Sequence, residues 1–216
     1  MRLVVLKLGG SLLLRPDLPV RLRRVLSDLA GSRILMVVGG GTAADVVRDW
    51  SQTHQLAEEP AHWLAVNSLC LTRMLIQRLM PEMREVSTPD AGTRCWRDSS
   101  VPLLLNIEAF LRHVEPTDPS PLPHTWDVTS DSIASWAASR WAADELLLLK
   151  STDLDRRLTT NEACRAGLVD NHFPHVAPQV PLITWCNLAS DEPQRTRWLE
   201  NGNLVPGLNS PASELR

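Results

Sequence analysis

The chain has 216 residues, with 22 Lys+Arg set against 25 Asp+Glu for a formal charge of −3. That balance, without any run of basic residues, excludes the electrostatic footprint of a nucleic-acid binder, and no uninterrupted apolar stretch is long enough to span a bilayer. The four cysteines, Cys70, Cys95, Cys164 and Cys186, are scattered without a C-x-x-C pair, which argues against a zinc site and suits reduced thiols in the cytoplasm. The apolar N-terminus is broken by Lys7 and carries no small-residue cleavage pattern, so no signal peptide is expected.

Residues 3–8, LVVLKL, read as a buried strand that stops at a glycine pair. Residues 18–30 have helical spacing, with Val20, Leu22, Val25, Leu26 and Leu29 expected on one face. A second strand at 34–38 ends in Gly39-Gly40-Gly41, and residues 42–55 return to helix. Residues 61–80 predict a long helix. Its Trp63, Leu64, Leu71, Met74, Leu75 and Met80 cover more than one side, as in a helix that is buried or pairs with a second subunit. Short strands are expected at 83–87 and 101–106, and the proline-rich stretch 114–125 is a loop. Residues 130–143 predict a helix with Ser130 or Asp131 as its N-cap. ELLLLK, 145–150, is the clearest buried strand; 182–186 is a last strand, and 191–202 reads as helical. Continuous rather than alternating apolar runs, interleaved with helices, argue for an α/β fold with a parallel sheet covered on both faces.

Lys7 and Lys150 are the only lysines, and each closes a strand. A compact ammonium on a flexible stem offers something that an arginine fork does not. In a parallel sheet, ligands bind outside the carboxyl ends of the strands. Three such ends carry polar or small residues. Gly9, Gly10 and Ser11 follow Lys7, the triple glycine follows the second strand, and Ser151, Thr152, Asp153 and Asp155 follow Lys150. Five of the ten glycines lie in the first two loops, where backbone N–H groups can approach an anion closely. With two ammonium groups they describe a site for several phosphates, which is what phosphoryl transfer requires. The stretch from Gly39 to Ala44 also fits the dinucleotide fingerprint G-x-G-x-x-A. However, the acids about 20 residues on, Glu58 and Glu59, fall in a helix–loop region rather than at a strand end.

Asp131 reads either as a helix cap or as a carboxylate holding the lysines. Asp45 and Arg48 share a helix face, either as a surface ion pair or with the Arg48 fork gripping an acceptor phosphate. His62 reads as packing within its helix. Ser11 and Ser130 have no neighbouring histidine, so no hydrolase triad is supported.

The motifs KLGGS, VVGGGTAADVVR, DVTSDSIA and LLLLKSTDLD, in this order, resemble the amino acid kinase family, which includes acetylglutamate, aspartate and uridylate kinases. Within it, GGGTAADVVRDW, AHWLAV and TSDSIASW are similar to the branch acting on aminomethylfuran phosphate in methanofuran biosynthesis. The resemblance implies a single αβα-sandwich domain with a mostly parallel sheet of about eight strands. Residues 1–125 would form an acceptor-binding half and 126–216 a nucleotide half taking ATP with magnesium, the metal arriving on the phosphates. It implies Lys7, Asp131 and Lys150 as catalytic groups and Gly9, Gly10, Ser11, Gly40 and Gly41 around the phosphates. Asp45, Arg48 and Thr129 would hold the acceptor, and Thr152 and Asp155 the nucleotide. The acceptor would be a phosphate monoester, and the assembly a cytoplasmic homodimer or a multiple of one. Two departures stand out: Arg156 replaces the family's usual glycine after Asp155, and the late G-T pair is represented only by Pro206-Gly207-Leu208. The alternatives are a non-catalytic oxyanion-binding or storage protein of the same fold, or a uridylate kinase-like enzyme, although that branch has S-G-E where this chain has Gly9-Gly10-Ser11.

Overall fold

The apolar runs that stand out in the sequence become the middle of one sheet. The computed structural model describes residues 1–205, so Pro206-Gly207-Leu208 lies outside the described residues. In chain order the elements are β1 (Leu3–Leu8), α1 (Leu18–Asp28), β2 (Arg33–Val38), α2 (Thr42–Thr53), α3 (Glu58–Leu79), β3 (Arg84–Val86), α4 (Pro89–Asp98), β4 (Leu103–Leu105) and α5 (Ile107–Val114). There follow α6 (Ser130–Arg140), β5 (Glu145–Lys150), α7 (Thr160–Arg165), α8 (Phe173–Val176), β6 (Leu182–Asn187), β7 (Arg195–Glu200) and β8 (Asn203–Leu204). The eight strands form a single sheet in the order β3-β4-β2-β1-β5-β6-β7-β8. All neighbours are parallel up to β6, and β7 and β8 add an antiparallel edge. No helix among the described residues is long and apolar enough to cross a membrane.

Strand residues alternate between two buried faces, which explains the unbroken apolar runs. Val5, Leu35, Leu146, Leu148 and Ile183 face a core shared with Phe110, Ile133, Trp136 and Trp198. Val4, Leu6, Ile34, Met36 and Leu147 face the other core, with Leu12, Leu18 and Leu22. This parity sets the position of the lysines. Lys7 follows Val5, and Lys150 follows Leu148, each by two residues, so both fall on the face that carries α6. Lys7 pairs in register with Leu148 on the adjacent strand. The two ammonium groups are therefore neighbours at the carboxyl edge.

Three expectations change. Residues 195–200 form a strand rather than part of a helix. Pairing with β6 satisfies their backbone, and the strand turns Trp198 inward to stack on Phe173 at 5.9 Å while its Nε1 donates to the Leu158 carbonyl at 2.8 Å. Val20 is 72% exposed because α1 begins at Leu18, whose face is shared by Leu22 four residues on, and not by a residue two positions away. On α3, Met80 is buried and Trp63 packs on the core. Leu64, Leu71, Met74 and Leu75 are exposed. The short helices α4, α5, α7 and α8 were not singled out in the sequence; α5 carries Ile107, Phe110, Leu111 and Val114 at helical spacing, and Thr88, Asn106 and Thr159 cap α4, α5 and α7.

Trp198 closes the core beneath β7, so Trp198→Ala is expected to cost roughly 3–5 kcal/mol. Urea unfolding should show a lower midpoint with an unchanged slope.

Candidate active site

Asp131 stands in the first turn of α6 and is 5% exposed; Lys7 is 4% exposed. Lys7 Nζ lies 2.9 Å from Asp131 Oδ1, and Lys150 Nζ lies 2.8 Å from the same oxygen. Neither ammonium is aligned on Oδ1 as a hydrogen-bond donor. The aligned bonds of Lys150 run to Asp131 Oδ2 at 2.8 Å and to the Leu168 carbonyl at 2.7 Å. One carboxylate thus faces two cations. Burial works to raise the Asp131 carboxyl, but the Lys150 and Lys7 charges outweigh it and hold it below the usual range. Burial is also the largest influence on Lys150; with the repulsion from Lys7 it outweighs the pull of Asp131 and brings the ammonium down to about 8.

Asp131 is not the cap of its helix, and neither is Ser130. Thr129 holds the N-cap position, and the capping oxygens come from Asp170, far along the chain. Asp170 Oδ2 accepts from the Thr129 amide at 2.9 Å, the Thr129 hydroxyl at 2.8 Å and the Ser132 amide at 2.9 Å. Its Oδ1 accepts from the Ser132 hydroxyl and from the Phe173 amide. This replaces the local cap and frees the Asp131 side chain to face the lysines.

The two glycine loops touch backbone to backbone. A Cβ on Gly10 would sit 2.1 Å from the Gly41 nitrogen, and Gly41 has φ +53° with a Cβ position 2.7 Å from the Gly10 carbonyl. No larger residue fits at either position. Ser11 Oγ lies 2.9 Å from Ser151 Oγ, which ties the first loop to the loop after β5.

Gly10, Ser11, Gly40 and Gly41 open onto a cleft of about 220 Å³, whose walls include Asp45, Arg48, His62, Trp126 and Thr129. Asp45 and Arg48 are paired at 3.0 Å, and the guanidinium stands 5.0 Å from the centre of the Trp126 ring. Thr129 lines the cleft with its hydroxyl already donated to Asp170. On the far side of β5, a second cleft of about 200 Å³ is lined by Asp153, Trp185, Asn187 and Thr196. Lys150 stands 5.4 Å from the Trp185 ring centre. Thr152 contributes its carbonyl to Trp185 Nε1 at 2.8 Å. Asp155 does not line this cleft: it pairs with Arg157 at 2.6 Å, which holds its carboxyl low, while Asp153 bonds Asn187 at 3.0 Å. A hollow of about 300 Å³ on the opposite face, under α1, is lined by Leu147, Cys186, Leu188 and several arginines and contains none of the lysine–aspartate groups. The chemistry therefore sits on the α6 face.

The cluster carries more positive than negative charge and stands at the strand ends that carry the two glycine loops. Such a geometry suits a polyanion shared between two ligands. Among the described residues no three His, Cys, Asp or Glu side chains converge as metal ligands. Sequence reasoning did not single out Asp170, Trp126 or Asn187. The capping role of Asp170 on α6 gives no local signal, because Thr129 and Ser132 lie roughly 40 residues earlier in the chain.

A sequence model of the amino acid kinase family matches residues 2–156. No curated protein matches the sequence. Among solved structures, the uridylate kinase of Archaeoglobus fulgidus is similar with a TM-score of 0.58 at 16% identity, over 86% of this chain and 89% of that one. The UMP kinase of Ureaplasma parvum gives 0.56 at 10% identity, over 89% and 92%. The aspartate kinase of Synechocystis gives 0.60 at 15% identity, over 94% of this chain and 41% of the longer one.

Removing one member of a buried ion cluster leaves the others uncompensated. Asp131→Asn is expected to destabilise the fold by roughly 3–5 kcal/mol. The triple variant Lys7→Met, Asp131→Leu, Lys150→Met should recover most of that loss in a denaturant titration, because it removes the charges along with their counter-charge.

Proposed function

The chain belongs to the amino acid kinase family, and from this premise we propose that it transfers a phosphoryl group from ATP to a small phosphate monoester, forming a diphosphate. The observation that carries the reading is the pair of ammonium groups, Lys7 buried and Lys150 partly so, on one carboxylate at the strand ends that carry the two glycine loops. The cleft beside Arg48 takes the acceptor, and the cleft beside Asn187 and Trp185 takes the nucleotide. Lys7 and Lys150 supply positive charge where negative charge builds on the moving group, and the loop amides at Gly9, Gly10 and Gly40 add oriented dipoles. Asp131 holds both lysines in place, and its charge opposes the lowering of Lys150 by burial. A phosphate acceptor is already ionised, so no residue is needed as a base.

Magnesium would arrive on the ATP phosphates and neutralise part of their charge; Asp153 and Glu192 are the acidic residues that line the nucleotide cleft and could hold it. The leading acceptor is aminomethylfuran phosphate, with Arg48 for the phosphate and Asp45 for the amine. The exposed Leu64, Leu71, Met74 and Leu75 of α3, with Val46 and Trp50 of α2, support a homodimer through this face. The second reading is an oxyanion binder of the same fold. It is favoured by one observation, the engagement of Asp155 with Arg157 rather than with the nucleotide cleft.

The decisive experiment is ADP release with magnesium–ATP and a panel of small phosphate monoesters, alongside thermal melting. Millimolar magnesium–ATP should raise the melting temperature, since a ligand at 100 times its dissociation constant adds about 2.7 kcal/mol. An unmoved melt would favour the oxyanion binder. Lys7→Arg should fold yet lose roughly 10²–10³ in rate, and a near-normal rate would contradict the role given to Lys7.

The pH profile follows from Lys150. Its ammonium is charged below about 8 and loses its proton above that pH. In the free enzyme kcat/KM for ATP should therefore fall as pH rises through this value, and kcat should fall later, because bound phosphates hold the proton on.

A further inference from the structure

One polar group in the acceptor cleft is used neither by the fold nor by the reaction just described. His62, in α3, is 4% exposed and lines the cleft, and its Nε2 is buried without a partner. The ring cannot swing away to find one. It stacks on His124 with centroids 4.6 Å and planes 11° apart, and Trp63 meets it edge-on at 5.6 Å. His124 is itself held, by Glu115 Oε2 at 3.1 Å from its Nε2 and by Glu59 Oε1 at 3.6 Å from its Nδ1. The Thr125 backbone lies near the ring and favours its protonated form, but less than burial and the neighbouring His124 oppose it, so the imidazole is pushed down to about 4 and stays neutral at physiological pH. Nε2 is the ring nitrogen that the fold leaves buried and unpaired. A buried polar atom without a partner carries a free-energy cost that a complementary ligand group would cancel.

Resting on the reading of this cleft as the acceptor site, we infer that His62 is a specificity-determining residue whose Nε2 accepts a hydrogen bond from an N–H or O–H group on the body of the phosphate acceptor. The neighbouring walls, Ala65, Val66, Leu69 and Ile133, offer no side-chain acceptor, so a donor on the body that does not reach Asp45 has Nε2 of His62 to meet. The ligand class is a small phosphate monoester with a mostly apolar body and a donor set apart from the phosphate.

The test compares ω-aminoalkyl phosphates of two to five methylenes with alkyl phosphates of matched length. It measures dissociation constants by calorimetry and KM and kcat with magnesium–ATP. His62→Phe keeps the stacked ring and removes the lone pair; His62→Gln keeps an acceptor atom. For the best aminoalkyl phosphate, His62→Phe should raise Kd and KM about 5- to 20-fold. The matched alkyl phosphate should stay within about twofold, kcat should change little, and His62→Gln should restore part of the loss. Equal losses on both probes with a lower melting temperature would mark His62 as packing and overturn the proposal, as would a wild type without preference for the amine. Binding without ADP release would sink the kinase reading while the Kd comparison still decides the role of His62. If no phosphate probe binds the wild type, both fall together.

Discussion

Two ammonium groups, Lys7 buried and Lys150 partly so, share one buried carboxylate, and this imbalance governs the α6 side of the molecule. A single carboxylate cannot neutralise both cations in a region where water is excluded, and the residual positive charge is partly relieved by the Leu168 carbonyl and the Trp185 ring. A fold retains such a cluster at a cost in stability, and the arriving anion offsets that cost. The same burial that strains Lys150 makes its charge felt strongly by a phosphate, since nearby water does not screen it.

Keeping the cluster in register requires three independent pieces of structure. Strand parity puts both lysines on the α6 face, the parallel pairing of β1 with β5 sets them side by side, and Asp170 fixes the start of α6 so that Asp131 meets them. Each piece is ordinary: an alternating strand, a ladder, a capped helix. Their coincidence at one strand edge is what brings two cations onto one carboxylate, and it explains why a carboxylate from a distant loop is spent on a helix start that Thr129 occupies.

The centre of this arrangement was legible in the sequence because it depends on local rules. Apolar runs ending in Lys7, in the triple glycine and in Lys150 announce strands, and their ends announce a ligand edge. The face on which a side chain falls follows from counting by twos. What could not be read depends on contacts between distant residues. The Asp170 cap joins segments with no shared pattern, and the engagement of Asp155 by Arg157 is a rivalry between neighbours that spacing does not rank. Residues 195–200 carry mixed charge and read as helix. Only the open edge of β6 and the space for Trp198 make them a strand. His62 looked like a packing residue, and it does pack; the lone nitrogen left over emerges only when its ring neighbours are known.

The contact of Gly10 with Gly41 has a mechanical side. These loops meet through main-chain atoms, with no side chain between them to act as a cushion, and Ser11 reaches on to Ser151. The three strand ends are thereby threaded into one taut belt across the top of the sheet. A displacement of the loop after β5 would be carried first to Ser11, and with it to the floor of the cleft beside Arg48.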